Sequence, residues 1–284
     1  MAKTVAIQGG FGAFHELAAR QFFQNEAVEA VPCDTFQQVF EAVQTGQSQF
    51  GIMAIENTIA GTLLPNYSLL MDGGLDVLGE INLHIQQNLM ALPGQKIEDI
   101  TEVYSHPIAI QQSAVFFKSY PKMKLIEAID TALSAKDIRD DNHFGAAAIA
   151  SELAAEMYDM EIIARGVETN KRNFTRFLII GKKQQLIDQG IWQAPQPDKA
   201  TLCFTLPHEE GSLASVLSIF SFYKISLTKI QSVPIIGQEF EYFFHIDLVF
   251  ADHTRYRQAL RAIEPLTHNL KVFGEYARAP QIES

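Results

Sequence analysis

The segment GIMAIENT, residues 51–58, decides the fold class of this chain of 284 residues. Its first five residues form a continuous apolar run, which is typical of a parallel strand that is buried on both faces. Glu56 and Asn57 break the run at its carboxyl end. Two further apolar runs, 5–7 and 28–31, lie upstream, and a helical spacing of apolar residues follows each of them. This β-α-β-α-β order predicts an open α/β sheet.

The alternation of strands and helices continues as far as residue 180. Apolar runs predict further strands over 75–83, 103–104, 125–129 and 177–180. Helical spacing predicts helices over 107–120 and 145–158, and Asp34-Thr35 and Thr131 are predicted as helix N-caps. Open α/β sheets bind ligands beyond the carboxyl ends of their strands, so polar residues beside the apolar runs are candidate site residues.

A second region follows a polar stretch, residues 182–198, which contains two prolines and has no sustained period. We interpret that stretch as a linker. The elements predicted beyond it are a strand over 200–206, a helix from Gly211, a strand over 225–230, a turn over 234–238, a strand over 240–250, a helix over 254–265 and a strand over 270–276. The β-α-β-β-α-β order is that of the ferredoxin-like fold.

The composition excludes several classes of function. The net charge is −11 and no basic run offsets it, so binding to nucleic acid is not expected. No apolar run approaches the roughly 18 residues of a membrane span. The N-terminus lacks the apolar core of a signal peptide, so we predict a cytoplasmic protein that does not enter a membrane.

Metal and nucleotide motifs are absent from the sequence. The eight histidines form no HxxxH or HExxH pattern, and there is no P-loop. Gly10-Phe11-Gly12 follows the first strand, but a dinucleotide fingerprint needs a third small residue where this chain has His15. We therefore predict no metal and no cofactor. The glycines are compatible with a tight turn that presents helix amides to a carboxylate.

Polar residues abut three of the predicted strands. These clusters are Glu56-Asn57-Thr58, Tyr104-Ser105-His106 with Gln112 on the next helix, and Asn173-Phe174-Thr175-Arg176-Phe177. Each has an ordinary interpretation as a cap or a strand residue. Their repetition at three strands of one sheet favours a functional site.

These residues resemble a known family. The segment Ile55-Glu56-Asn57-Thr58 with Gly61, the segment Ser105-His106-Pro107 with Gln112, and residues 173–177 are similar to prephenate dehydratase with a C-terminal ACT regulatory domain. The resemblance covers residues 3–278. It implies an α/β fold in which two lobes, each like a lobe of type 2 periplasmic binding proteins, enclose the active site, and the last strand returns to the first lobe. It also implies a catalytic domain over 1–181, a linker over 182–198 and a ferredoxin-like ACT domain over 199–278.

The resemblance implies conversion of prephenate to phenylpyruvate, carbon dioxide and water, without cofactor or metal. It implies catalytic roles for Thr175, Asn57, Gln112 and Ser105. We expect the Thr175 hydroxyl to hydrogen-bond or protonate the leaving hydroxyl, with Glu56 as a candidate acidic partner. The candidate substrate-binding residues are Arg176, Glu56, Thr58 and Asn173. The first glycine-rich loop departs from the family, because His15 stands where serine or threonine is usual.

Several alternatives stay open. A guanidinium suits a carboxylate ligand, but strand alternation places Arg176 on the face opposite Thr175, so a structural ion pair is equally compatible. No residue separates prephenate from arogenate as the substrate. A non-catalytic two-lobed ligand sensor is a third interpretation, and the intact Thr175, Asn57 and Gln112 argue against it.

The ACT-like region predicts regulation and assembly. Gly211-Ser212-Leu213 resembles the Gly-Ala-Leu effector loop of the family, and Gln231-Ser232-Val233-Pro234 stands where the family has Glu-Ser-Arg-Pro. The candidate residues for a phenylalanine effector are therefore Gly211, Ser212, Leu213, Gln231, Ser232 and Pro234. The alternative is a region that serves mainly for dimerisation. ACT units pair edge to edge, so we expect a homodimer or a homotetramer.

Overall fold

The structure is a computed structural model that describes residues 2–24, 26–235, 237–239 and 241–280. Contacts between residues divide the chain into two compact units. The first unit holds the residues up to 66 together with 82–177, and the second holds 67–81 together with the chain from residue 178 onward. Within the described ranges, no helix has the length and hydropathy needed to cross a membrane.

Fifteen strands, ten α-helices and two short 3-10 helices (Ile97–Asp99 and Glu264–Leu266) form the regular structure of the described residues. In chain order the elements up to residue 91 are β1 (Lys3–Gln8), α1 (Phe14–Phe22), β2 (Val28–Cys33), α2 (Phe36–Thr45), β3 (Phe50–Asn57), β4 (Gly61–Thr62), α3 (Leu64–Asp72), β5 (Asp76–His84) and β6 (Asn88–Ala91). The elements that follow are β7 (Glu102–Ser105), α4 (Pro107–Gln112), α5 (Ala114–Phe117), β8 (Lys124–Glu127), α6 (Thr131–Asp140), β9 (Ala146–Ala150), α7 (Glu152–Met157), β10 (Glu161–Ala164) and β11 (Phe174–Gly181).

These strands form two sheets, which correspond to the two predicted lobes. The first sheet has the order β2-β1-β3-β11-β5, with β4 paired to β3, and β1 is parallel to both of its neighbours. The second has the order β10-β6-β9-β7-β8, in which β7 is parallel to β8 and β9. The return of β11 to the first sheet is confirmed. Both β5 and β11 extend across the division between the two units.

Helix caps explain where several of these helices begin. Thr35 caps α2 as predicted, because its Oγ1 accepts the Gln38 N–H while the Gln38 side chain accepts the Thr35 N–H. The prediction of Thr131 as a cap is wrong by one residue. Asp130 is the N-cap of α6, and its carboxylate accepts the N–H of Leu133 at 2.8 Å.

The largest error in the predicted elements is the helix over 145–158. The structure has β9 over Ala146–Ala150 and then the short helix α7, whose N–H groups are capped by Ser151. All five residues of β9 are buried, and the strand lies between β6 and β7. Alanine favours helices, but its small side chain also fits a strand covered on both faces, and this tertiary setting overrides propensity.

The structure differs from the predicted elements in two other places. The helix predicted over 107–120 is two short helices, α4 and α5, that meet at Ser113. Strands β6 and β10, of four residues each, were not predicted, although β7 and β8 of the same length were.

The second unit contains a ferredoxin-like fold, as predicted. Its elements after β11 are α8 (Lys183–Asp188), β12 (Lys199–Thr205), α9 (Ser212–Phe222), β13 (Ser226–Pro234), β14 (Tyr242–Val249), α10 (His253–Ile263) and β15 (His268–Tyr276). The antiparallel sheet has the order β13-β14-β12-β15. Ile236 in the predicted turn and Phe240 at the start of the predicted strand lie outside the described residues. The stretch 182–198, interpreted as a linker, contains α8, and the domain limits 1–181, 182–198 and 199–278 stay a prediction.

A buried ion pair lies in the second unit. The Nζ of Lys199 is 2.9 and 2.8 Å from the two carboxylate oxygens of Glu80, and Glu80 Oε1 also accepts the N–H of Ala279 at 3.1 Å. Both charged side chains are buried. Removal of Lys199 would take away the ammonium partner of the buried Glu80 carboxylate.

We expect Lys199→Met to lower the free energy of unfolding by about 3–5 kcal/mol, because Glu80 would keep a buried charge. The matched control is Lys136→Met, which breaks an exposed pair with Asp140 and should leave the stability nearly unchanged. Urea denaturation of both variants and the wild type measures the difference. Equal losses in the two variants would contradict the assignment.

Candidate active site

A cavity of about 550 Å³ lies in the first unit. Its wall includes residues that follow β1 and β3 of the first sheet and β7 and β8 of the second. The sequence prediction that the three polar clusters lie on one sheet is therefore wrong, because Ser105 ends a strand of the second sheet. The polar and ionisable residues of the wall are Gln8, His15, Asp34, Thr35, Asn57, Thr62, Gln87, His106, Gln112, Asp130, Thr131 and Thr175.

Asn57 is the centre of a hydrogen-bonded line across this wall. Its Oδ1 accepts the N–H groups of Ile59 at 2.9 Å and Ala60 at 2.8 Å. Because backbone N–H groups only donate, these contacts fix which end of the amide is oxygen. The Nδ2 therefore faces β11, where it donates to Thr175 Oγ1 at 2.9 Å and to Asn173 Oδ1 at 2.8 Å.

The line continues to the second lobe through Gln112. The Nδ2 of Asn173 donates to the Gln112 Oε1 at 2.9 Å. Gln112 ends α4, and its backbone carbonyl accepts the N–H of Thr169 at 2.7 Å. Since Oε1 is an acceptor in this line, the amide nitrogen of Gln112 is the end that can donate into the cavity.

The predicted site residues divide into those on the wall and those behind it. Thr175, Asn57 and Gln112 lie on the wall, whereas Ser105 does not. The hydroxyl of the buried Ser105 donates to the carbonyl of Ile149 at 2.6 Å. Ser105 thus joins β7 to β9 beneath the cavity.

Asn173, which is buried, and Thr58, which is exposed, are not part of the wall. The Thr58 hydroxyl accepts the N–H of Phe174 and donates to the carbonyl of Arg172, both at 2.9 Å. These bonds hold the beginning of β11 against the end of β3. The two residues therefore fix the strand that carries Thr175.

Arg176 lies off the wall and forms an ion pair. Its Nη1 is 3.3 Å from the Glu56 Oε1, and the Arg176 side chain is buried. Glu56 precedes Asn57 on β3, and Arg176 follows Thr175 on β11. Because successive side chains of a strand point to opposite faces, both charged side chains point away from the hydrogen-bonded line. Glu56 is therefore placed beside Arg176 rather than beside Thr175.

The loop after β1 packs the first lobe against the second. Ser151 donates its hydroxyl to the carbonyl of Gly12 at 2.5 Å, and the Tyr158 hydroxyl donates to the carbonyl of Phe11 at 2.9 Å. Gly12 has φ +82°, and a Cβ there would lie 2.7 Å from the Cα of Ala154. Glycine is therefore required both by the backbone and by the neighbouring lobe.

His15 follows this loop and lies on the wall. Its ring makes edge contacts with Phe36 and Phe177 at centroid distances of 5.4 and 5.0 Å. Burial lowers the pKa of His15 from 6.5 to about 4, so the imidazole is uncharged at neutral pH. The sequence marked His15 as a departure from the family and from a dinucleotide fingerprint, and it gave no motif or period that points to Gln87.

The charges of the wall are unusual for an anion site. Asp34 and Asp130 are on it, and among the described residues that line it there is no lysine or arginine. The first turns of α1, α2 and α6 do reach it, through Phe14, Phe36 and Thr131. The N–H groups of a helix's first turn carry partial positive charge, and of these three helices only α1 has no side-chain cap. Over the described part of the chain, no group of three or more potential metal ligands is present.

The predicted effector residues lie in the second unit. Gly211 is the N-cap of α9 with φ +83°, and Ser212 and Leu213 begin the helix. Gln231, Ser232 and Pro234 belong to β13, the edge strand of the ferredoxin-like sheet. The Gln231 side chain donates to the carbonyl of Ser232 at 2.9 Å.

We expect Gly12→Ala to destabilise the protein by about 1–3 kcal/mol more than Gly46→Ala, because an added methyl group overpacks the contact with Ala154. Gly46 is a matched control. It has the same φ of +82°, but a Cβ there meets nothing within 4 Å, so its substitution reports backbone strain of about 1–2 kcal/mol alone. Thermal unfolding measures both, and equal losses would show that the loop does not pack as described.

Comparisons with known proteins match these features to one family. The family model for prephenate dehydratase matches residues 5–185. Arogenate dehydratase 5 of Arabidopsis thaliana is 35% identical over 290 residues, which cover 96% of this chain and 67% of that protein. A bifunctional chorismate mutase/prephenate dehydratase of Aquifex aeolicus is 33% identical over 97% of this chain and 74% of its own. The chain spans about two thirds of the length of several of the curated relatives it matches.

Solved structures share the whole architecture. A prephenate dehydratase of Staphylococcus aureus has a TM-score of 0.80 and 29% identity, over 96% of this chain and 99% of that one. One of Arthrobacter aurescens in complex with L-Phe has a TM-score of 0.83 and 25% identity, over 99% and 93%. A protein described as a novel type of quorum-quenching acylase has a TM-score of 0.86 and 27% identity, over 98% and 99%. Proteins with this architecture are thus described with different activities, so the residues of the cavity, and not the fold, determine the reaction.

Proposed function

Because this chain belongs to the prephenate dehydratase family of lyases, we propose that its cavity catalyses the decarboxylative dehydration of prephenate to phenylpyruvate. The observation that carries the proposal is the hydrogen bond from Asn57 Nδ2 to Thr175 Oγ1 on the cavity wall. The second candidate substrate is arogenate, which bears an ammonium group in place of the side-chain keto oxygen of prephenate.

The reaction needs one proton donor. The bond between the ring and its carboxylate breaks, and that electron pair forms a new ring double bond as carbon dioxide leaves. The electrons displaced across the ring break the carbon–oxygen bond to the opposite hydroxyl. Hydroxide is a poor leaving group, so a proton delivered to that oxygen, which then departs as water, is the assistance that a protein can supply.

Thr175 is oriented for this role. The oxygen of its hydroxyl accepts a hydrogen bond from Asn57, so its own proton can point into the cavity. The same N–H group stabilises negative charge on the Thr175 oxygen as its proton is shared with the leaving group. Thr175 is thus the proposed donor, and Asn57 is the residue that aims and polarises it.

The other predicted residues have supporting roles in the proposal. Gln112 presents its amide nitrogen to the substrate, and Asn173 holds Gln112 in register with Asn57. Thr58 and Ser105 fix the strands behind the wall. The ion pair of Arg176 and Glu56 stabilises the same strands and does not bind substrate, which favours the structural interpretation of Arg176.

The carboxylates of the substrate are held by neutral donors in this proposal. The N-terminus of α1 is the best placed, because Phe14 and His15 line the cavity and no side chain caps the helix. Its first N–H groups have no partner within the helix, so a carboxylate can accept from them.

We expect Thr175→Ala to lower kcat for prephenate by about 10²–10⁴-fold, because the proton donor is lost. Thr175→Ser keeps the hydroxyl and should retain most of the activity. Formation of phenylpyruvate, followed by its absorbance in alkali, measures both variants against the wild type. Near-normal turnover by Thr175→Ala would rule out this role for the hydroxyl.

Arogenate has specific support as the alternative substrate. Asp34 and Asp130 are on the cavity wall and no cationic side chain joins them, a setting that favours an ammonium group over a second net negative charge. The ratio of kcat/KM for arogenate and prephenate decides between the two. If the carboxylates of Asp34 and Asp130 dominate recognition, we expect a higher kcat/KM for arogenate than for prephenate. Asp130→Asn should then reduce the ratio of the two values.

Regulation by phenylalanine is the proposed role of the second unit as an ACT domain. Its support is the similarity to a structure described as a complex with L-Phe and the sequence of the loop at Gly211. The exposed edge of β13 offers unpaired backbone groups to a second copy of the chain, which supports a homodimer or homotetramer. The alternative role in dimerisation alone, and the cytoplasmic location, stay predictions.

We expect L-phenylalanine to stabilise the full chain, because a ligand that binds only the folded protein adds about 2.7 kcal/mol at a hundredfold excess over its Kd. Thermal unfolding with L-phenylalanine, and with D-phenylalanine as the control, measures this effect. If the melting temperature is the same with L-phenylalanine, with D-phenylalanine and without ligand, dimerisation remains as the role of this unit.

A further inference from the structure

Two polar side chains of the cavity wall have an atom without a hydrogen-bond partner among the described residues. They are Gln87, through Oε1, and His15, through Nε2. Neither belongs to the hydrogen-bonded line from Thr175 to Gln112. Buried polar atoms in folded proteins are almost always satisfied, so two exceptions on one cavity require an explanation.

Gln87 is held in place by its backbone. Its N–H donates to the Glu168 Oε2 at 2.8 Å, and its carbonyl accepts the N–H of Val167 at 2.7 Å. The residue is only 3% exposed. The backbone of Gln87 is therefore fixed in the segment between β5 and β6, and no described group bonds its side-chain oxygen.

His15 is held in place by its ring. Phe36 and Phe177 contact it edge to face, and Phe177 lies on β11 two residues beyond Thr175. The ring is uncharged at neutral pH, as described above. It can therefore give or accept one hydrogen bond at Nε2 without bringing a charge into the cavity.

We propose that His15 and Gln87 are substrate-binding residues, and that polar atoms of the bound substrate complete the hydrogen bonding of His15 Nε2 and Gln87 Oε1. This inference rests on the proposed dehydratase function. It adds two contacts to the donors already assigned around Thr175. One comes from His15, which follows the glycine-rich loop, and the other comes from Gln87, between β5 and β6. Both atoms are out of reach of water in the empty protein, so each side chain turns toward the substrate as it binds.

The inference has a signature that a structural role does not share. In the empty protein each unpartnered atom costs stability, because it has lost water without gaining a partner. An apolar residue of similar shape should therefore leave the melting temperature equal or higher. The same substitution should weaken substrate binding, so stability and activity move in opposite directions.

The test is the steady-state kinetics and thermal unfolding of His15→Phe and Gln87→Met in the full chain. His15→Phe keeps an aromatic ring between Phe36 and Phe177. We expect each variant to lower kcat/KM by about 10- to 100-fold, mainly through KM, with a melting temperature that is equal or higher. His15→Gln places an amide nitrogen near the position of Nε2 and should recover part of the loss.

Two control variants share the unpartnered atom but lie off the cavity wall. His245→Phe removes a buried histidine whose Nδ1 has no described partner, whose pKa burial lowers to about 4, and whose ring stacks on Phe273. Ser48→Ala removes a buried hydroxyl of the same kind. Both should keep the kinetics of the wild type.

The outcomes separate this inference from the function on which it rests. A wild type that turns over neither prephenate nor arogenate overturns both. An active wild type with unchanged kinetics in His15→Phe and Gln87→Met overturns the inference alone. A parallel loss of melting temperature and activity in these two variants, absent from the controls, assigns them a structural role and also overturns it.

Discussion

The amide of Asn57 is the constraint on which the cavity depends. Two backbone N–H groups in the turn after β3 bind its oxygen, so its nitrogen faces β11. From that one orientation follow the aim of the Thr175 hydroxyl, the position of Asn173 and the register of Gln112. A short turn in the first lobe thereby organises side chains that reach the second lobe.

Charge is distributed so that the cavity stays free of strong cations. The buried positive side chains among the described residues are paired elsewhere: Lys3 with Glu26, Arg176 with Glu56, and Lys199 with Glu80. Helix termini, amides and an uncharged imidazole remain to meet a polar ligand. Such donors are rigid and directional, which favours recognition by shape and hydrogen bonding over simple attraction between charges.

The sequence predicted the architecture better than the details of the site. Long apolar runs and the β-α-β-β-α-β order identified both regions, because burial sets their periods directly. The strand β9 was predicted as a helix, since alanine carries a local helix preference that only its neighbouring strands override. Asn57, Thr175 and Gln112 could be found because they abut strands and resemble a motif. Gln87 could not be, because its importance lies in a missing partner, which only three-dimensional packing reveals.

The place of β11 has a consequence for how the chain is made. This strand is the last of its sheet to be synthesised, yet it lies in the interior of the sheet, between β3 and β5. Until residue 181 has left the ribosome, both neighbours present open strand edges, and the bond between residues separated by 118 positions cannot form. A nascent chain shorter than this is both inactive and prone to pair wrongly, so we expect dependence on chaperones during synthesis to end when β11 inserts.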